Sequence, residues 1–167
     1  MNEKTRGGFT LVELLVVIAI IAMLAGLMVP LTSKGAAGAK KKRAALEVNS
    51  LVVAVGQFHD DHHYMPSTDG KQLGDDAWVE TSNKEWVEIM QGDNAMKKND
   101  LGMKANDEGT LLDPWGNGYR VGMDRNLDGR VDAKDGNKVA MEKVVAASAG
   151  PDGQFGNEDD IETAEWR

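Results

Sequence analysis

Cysteine is absent from all 167 residues, which excludes disulfide frameworks, cysteine-ligated zinc, iron–sulfur clusters and thiol nucleophiles. Proline and aromatics are scarce, with 4 prolines and 5% Phe, Trp and Tyr. Basic charge is scarce where a nucleic-acid surface would need it. The net charge is −8, and residues 1–50 hold 7 Lys/Arg against 3 Asp/Glu while residues 51–167 hold 12 against 24, a split of +4 and −12. A nucleic-acid binder spreads basic charge over its folded domain, so nucleic acid is excluded as the main partner. Catalytic signatures are missing as well. The chain has no G-x-S-x-G elbow, no H-E-x-x-H and no phosphate-binding glycine loop, and it reads as no enzyme.

Long apolar runs are absent but for one. From Leu14 to Val29 every residue is apolar or Gly, in a chain whose mean hydropathy is −0.40. Counted from Phe9 the segment has 21 residues, which as a helix spans about 31 Å, the depth of a bilayer core. This is the pattern of a soluble domain on one membrane segment. Glu13 interrupts the run. A carboxylate in hydrocarbon is costly unless paired, so Glu13 either has a function or marks a span that starts at Leu14. A secretory signal peptide with Lys4 and Arg6 as its basic region is the competing reading. Against it, the run is longer than a usual signal core and no A-x-A site stands close behind. Lys34, Lys40, Lys41, Lys42 and Arg43 put +5 behind the run against +1 ahead of it. By the positive-inside rule alone, that favours a cytoplasmic C-terminal domain.

Pro30 is expected to end or kink the first helical stretch, and Ser33, Gly35 and Gly38 to loosen the residues after it. From Ala37 the pattern is helical again: Ala44, Ala45, Val48, Leu51, Val52, Val55 and Phe58 form a stripe that packs on a sheet or another helix. His59, His62 and His63, with Asp60 and Asp61, close it. They read as a solvated helix end, with zinc as the alternative. Residues 66–110 are irregular, with a short helix expected from Asn83 to Gln91 and Trp78 and Trp86 as packing anchors. Asp113-Pro114-Trp115-Gly116-Asn117-Gly118-Tyr119 reads as a tight turn into a strand, Tyr119–Gly122, with a second strand at Val139–Val145.

Between those strands Asp124, Asn126, Asp128, Gly129, Asp132 and Asp135 fit the calcium-loop template D-x-[DN]-x-[DN]-G, with an acidic residue at the twelfth place. Side-chain oxygens of Asp124, Asn126, Asp128, Asp132 and Asp135 and the carbonyl of Arg130 are the expected calcium ligands. A solvated turn is the plain alternative.

Three stretches resemble one family. Gly7-Gly8-Phe9-Thr10-Leu11-Val12-Glu13 before the apolar run resembles the processing site of type IV prepilins and pseudopilins. The resemblance implies cleavage after Gly8 by a membrane prepilin peptidase, methylation of Phe9, and pairing of Glu13 with the Phe9 amine of a neighbouring subunit. It also places the leader inside, against the charge rule. DPWGNGY resembles the DPWGNPY signature of the major pseudopilins of type II secretion, with Gly118 in place of Pro. Ser148 to Ile161 resembles their C-terminal calcium loop, which implies Ser148, Asp152, Asp159 and Asp160 as ligands of Ca²⁺.

The implied architecture is α+β: a long N-terminal helix, transmembrane in its first half, packed on a small antiparallel sheet with calcium-binding loops. The implied division is leader 1–8, membrane and filament-core helix 9–31, amphipathic half 32–63 and globular domain 64–167. The implied function is a structural subunit of the pseudopilus that drives export of folded proteins across the outer membrane. Its partners would be further copies of itself, minor pseudopilins, the prepilin peptidase, the inner-membrane secretion platform and the membrane. It would sit in the inner membrane as a single-pass protein with its C-terminal domain in the periplasm, and in the pseudopilus after assembly. The alternatives are a type IV pilin of an adhesion, motility or DNA-uptake fibre, and a membrane-anchored calcium-binding domain.

Overall fold

The computed structural model describes residues 9–69, 76–94, 96–134 and 137–167, and for residues 26–34 the helical backbone alone. The leader 1–8 lies outside the described residues. Contacts divide the chain into two units, Met1–Ala39 and Lys40–Arg167. Helix α1 runs from Leu11 to His62, 52 residues. Pro30 therefore does not end it, and the helix continues through Ser33, Gly35 and Gly38. One proline removes a single backbone donor and costs about 3 kcal/mol. The Ala-, Leu- and Lys-rich turns on either side favour helix and carry it through. Among the described residues no helix is long and apolar enough to cross a membrane. The apolar run Leu14–Val29 reaches into residues 26–34, whose side chains lie outside the description.

In the second unit α1 buries Ala44, Val48, Leu51, Val55 and Phe58, the 3.6-residue stripe read from sequence. They join one core with Val79, Val121 and Ala146. The sheet has the order β1-β2-β5-β6, with β1 Ala77–Glu80, β2 Arg120–Met123, β5 Val144–Ser148 and β6 Ile161–Glu162, all antiparallel. Alternation puts the next row, Trp78, Gly122 and Val145, on the opposite face. There a second cluster forms with Val131, Ala140 and Trp166. Gly122 is required in this row, because a Cβ would lie 2.8 Å from both the Trp78 ring and Val145 Cγ2.

Helix α2, Lys84–Met90, is the short helix expected. Asn83 Oδ1 accepts from the N–H groups of Glu85 and Trp86, and the helix buries Trp86, Val87 and Met90. Trp86 is a packing anchor as expected.

Three further expectations need correction. The strand read at Tyr119–Gly122 is Arg120–Met123. The strand read at Val139–Val145 is two: β4, Val139–Ala140, pairs with β3, Val131–Asp132, in a separate ribbon, while β5 enters the main sheet. One straight strand cannot serve both, so residues 141–143 bend between them. The third is the histidine cluster, which is not a solvated end throughout. His62 is buried, stacks on Phe58 at 4.1 Å between ring centroids, and has Nε2 3.6 Å from the buried Asp100 carboxylate.

Candidate functional site

At the N-terminus Glu13 Oε2 accepts from the N–H and from the hydroxyl of Thr10, both at 2.8 Å, and Thr10 Oγ1 accepts from the Glu13 N–H at 3.3 Å. This is a reciprocal cap at the start of α1. Thr10-x-x-Glu13 is its local sequence signature. Phe9 is exposed. Gly8 lies outside the described residues.

The DPWGNGY turn and the C-terminal loop form one assembly. Asp113 Oδ1 accepts from the N–H groups of Trp115 and Asn117, both at 2.9 Å. Its other oxygen accepts from the buried Ser148 hydroxyl at 2.7 Å, and Ser148 Oγ in turn accepts from the Gly150 N–H. Asn117 Nδ2 donates to the Gly150 carbonyl at 3.1 Å. Gly150 has φ +65, and a Cβ there would lie 2.6 Å from the Asp159 carbonyl oxygen and 2.7 Å from Asp159 Oδ2. Only glycine fits that approach.

Within the C-terminal loop, Asp152 accepts from the Gln154 N–H and the Asn157 amide. Asp160 Oδ2 accepts from the N–H groups of Gly156 and Asn157, while Asp160 Oδ1 is buried without a hydrogen-bond partner. Of the four expected ligands, Ser148 is buried, Asp159 and Asp160 are half-buried and Asp152 is exposed.

The first loop is also built around carboxylates. Asp124, buried, accepts from the N–H groups of Asp128 and Gly129. Asn126 Oδ1 accepts from the Asp128 N–H, and Asp128 Oδ1 from the Arg130 N–H. Arg130 turns its guanidinium to Asp128 at 2.9 Å. Asp135 lies outside the described residues. The structure adds one acid that spacing did not reveal. Asp76, just before β1, accepts from the Asp132 N–H at 2.7 Å, and its Oδ1 is buried and unpaired. Burial pushes the Asp76 carboxyl above its ordinary range against the pull of that N–H, and the charges of Asp132, Asp124 and Asp128 add to the rise. No local motif marks Asp76, because strand pairing alone brings it to the loop. Among the described residues no group of three or more His, Asp or Glu side chains is gathered closely enough to hold a metal ion.

A model of the prokaryotic N-terminal methylation motif matches residues 4–29. Over 164 residues the chain is 33% identical to the type II secretion system core protein G of Escherichia coli K12, covering 96% of this chain and 91% of that protein. The core protein G of Aeromonas hydrophila is 28% identical over 96% of this chain and 94% of its own. That of Pseudomonas aeruginosa is 31% identical over 72% and 75%. No solved structure matches.

Proposed function

The chain belongs to the family of type II secretion system core protein G, and from that premise we propose that it works as the major subunit of a secretion pseudopilus. The observation that carries this reading is similarity over 96% of the chain, which includes the methylation motif. The role is mechanical and needs no catalytic group. Subunits leave the membrane and stack into a filament whose growth pushes folded proteins through an outer-membrane channel.

Before assembly the chain is held in the inner membrane by the apolar run from Phe9, with the C-terminal domain in the periplasm. Cleavage after Gly8 frees the Phe9 amine, which is methylated. In the filament that amine meets Glu13 of a neighbour, so two charges leave water together. Losing one partner of such a pair would strand the other.

Both acidic loops suit Ca²⁺, a cation that takes six to eight oxygen ligands. In the C-terminal loop Ser148, Asp152, Asp159 and Asp160 would hold it, and the unpaired Asp160 Oδ1 is an oxygen still lacking a positive partner. In the first loop the ligands would be Asp124, Asn126, Asp128, Asp132, Asp135 and the Arg130 carbonyl. The unpaired Asp76 Oδ1 beside them favours a cation in the same way. When bound, the ion would offset carboxylate repulsion and add its binding energy to the fold.

N-terminal mass spectrometry of the membrane form tests the assignment. The expected result is a chain that begins at methylated Phe9. An intact Met1 terminus, or cleavage beyond Val29, would overturn it.

A further inference from the structure

The stretch of α1 just before its buried stripe is open to solvent. Residues 35–43 are all exposed, and a Cβ on Gly35 or Gly38 would meet nothing within 4 Å. Burial begins at Ala44. This bare stretch ends in Lys40, Lys41, Lys42 and Arg43. Successive residues of a helix point about 100° apart, so four in a row encircle it. Arg43 is bonded to Glu47 at 2.8 Å, whereas the three lysines have no ion pair among the described residues. A ring of cations is poorly suited to a protein partner, which would touch one side of it. It suits a charged layer that surrounds the helix. The order of charge along the chain agrees: an apolar run to Val29, then the cations, then a region with a net charge of −12 that an anionic surface would repel.

We propose that Lys40, Lys41 and Lys42, about 16–20 Å along α1 beyond the end of the apolar run, form a collar that draws in the headgroups of anionic phospholipids. The inference rests on the membrane-anchored reading given above. A juxtamembrane cation gains from a negative lipid surface over a distance set by screening. The collar would hold the subunit at a fixed depth before assembly and would be released lipid by lipid as the subunit enters the filament.

The test uses the full chain reconstituted in phosphatidylcholine vesicles containing phosphatidylglycerol, with trace spin-labelled lipid of either headgroup. The motion-restricted lipid around the helix should be enriched several-fold in phosphatidylglycerol. The enrichment should vanish in molar salt, where screening acts within about 3 Å, and in the triple variant Lys40→Gln, Lys41→Gln, Lys42→Gln. The corresponding triple arginine variant should keep it. Restricted lipid with no headgroup preference would overturn the collar and leave the anchor standing. Absence of any restricted lipid, with release of the chain by alkaline carbonate, would overturn the anchor itself. Unselective lipid together with salt-sensitive self-association lost in the glutamine variant would also overturn the collar, assigning the lysines to a second copy instead.

Discussion

Ser148 and Asp113 stand 35 residues apart in the chain and share a 2.7 Å hydrogen bond, with both residues shut off from solvent. The bond joins the end of β5 to the turn that precedes β2, and it fixes the start of the C-terminal loop. Ser148→Ala would strand Asp113 Oδ2 and deprive the Gly150 N–H of its acceptor. A buried bond to a charged group lost this way costs about 2–3 kcal/mol. The melting temperature of the full chain in detergent should fall by roughly 5–10 °C. An unchanged melting temperature would mean that the turn and the loop are held by other bonds.

The two crowded glycines should fail differently. Gly122→Ala places a methyl group 2.8 Å from the Trp78 ring and from Val145, an overpacking that costs about 1–3 kcal/mol. Because Trp78 must move, near-ultraviolet circular dichroism should change along with stability. Gly150→Ala meets backbone, the Asp159 carbonyl at 2.6 Å, at a φ of +65. Nothing flexible can give way there, so calcium binding should suffer along with the fold. Equal calcium affinity in Gly150→Ala and the parent would separate this glycine from the loop's geometry.

The packed half of α1 and the short α2 were legible because their signals are local, whereas the run of α1 through Pro30 was not. The stripe Ala44 to Phe58 keeps the helical period, and Asn83, where the short helix was expected to start, is the residue that caps α2. β1 was not legible. Ala77–Glu80 is four residues long in an irregular stretch, and it is a strand because β2 offers it a partner. The division of residues 139–148 between two sheets was hidden for the same reason. Of the candidate site, the first loop's carboxylates were visible as spacing, and those of the C-terminal loop only through the family resemblance. Asp76 was not visible, because pairing with distant chain brings it to the loop, and Asp113, visible in the turn motif, gave no sign of its bond to Ser148. His62 was misread because composition at a helix end does not show which side the 98–100 segment covers.

Glu13 caps α1 within one chain through its bonds to Thr10, and the proposed function adds a pairing with a neighbour's amine in the filament; two variants separate the cap from that pairing. Thr10→Ala removes a side chain of the cap and keeps the carboxylate, at a cost of about 1 kcal/mol. Glu13→Val removes both. Filament formation in a secretion-competent strain should survive Thr10→Ala and fail in Glu13→Val, with membrane insertion intact in each. Similar losses in both would reduce Glu13 to a helix cap.

Lys98 joins Asp61 at the end of α1 to the buried Asp100. The hydrogen bond from Lys98 holds the Asp61 carboxyl below its ordinary value of 3.8. A carboxylate lowered on folding stabilises the fold above its unfolded pKa, and that contribution is lost as pH falls through the folded pKa. The link is solvent-screened, so its effect should be small. In acid titrations followed by circular dichroism, Asp61→Asn should lessen the loss of stability below about pH 4 and leave the neutral region nearly flat. A steeper acid slope in the variant would contradict the pairing.

Calcium should stabilise the full chain through two loops of unequal weight. At about 100 times its Kd, one bound ion adds about 2.7 kcal/mol, a clear rise in melting temperature. The C-terminal loop should supply most of it. It has a single short 3-10 turn, Gly150–Asp152, between β5 and β6, so little else orders it when its carboxylates repel. Asp159→Ala, and Asp160→Asn at the oxygen left unpaired, should each abolish most of the rise. In the first loop, β3 and β4 pair with each other and Val131 and Ala140 pack under Trp78, which holds the turn without an ion. Asp128→Ala should therefore remove one bound calcium by calorimetry with only a small change in melting temperature. Asp76→Asn should weaken that same ion and leave the C-terminal one unaffected. Calorimetry with and without chelator measures all four variants. If the parent shows no calcium-dependent shift, neither loop is a structural calcium site; if Asp128→Ala costs more than Asp159→Ala, the weight lies in the first loop.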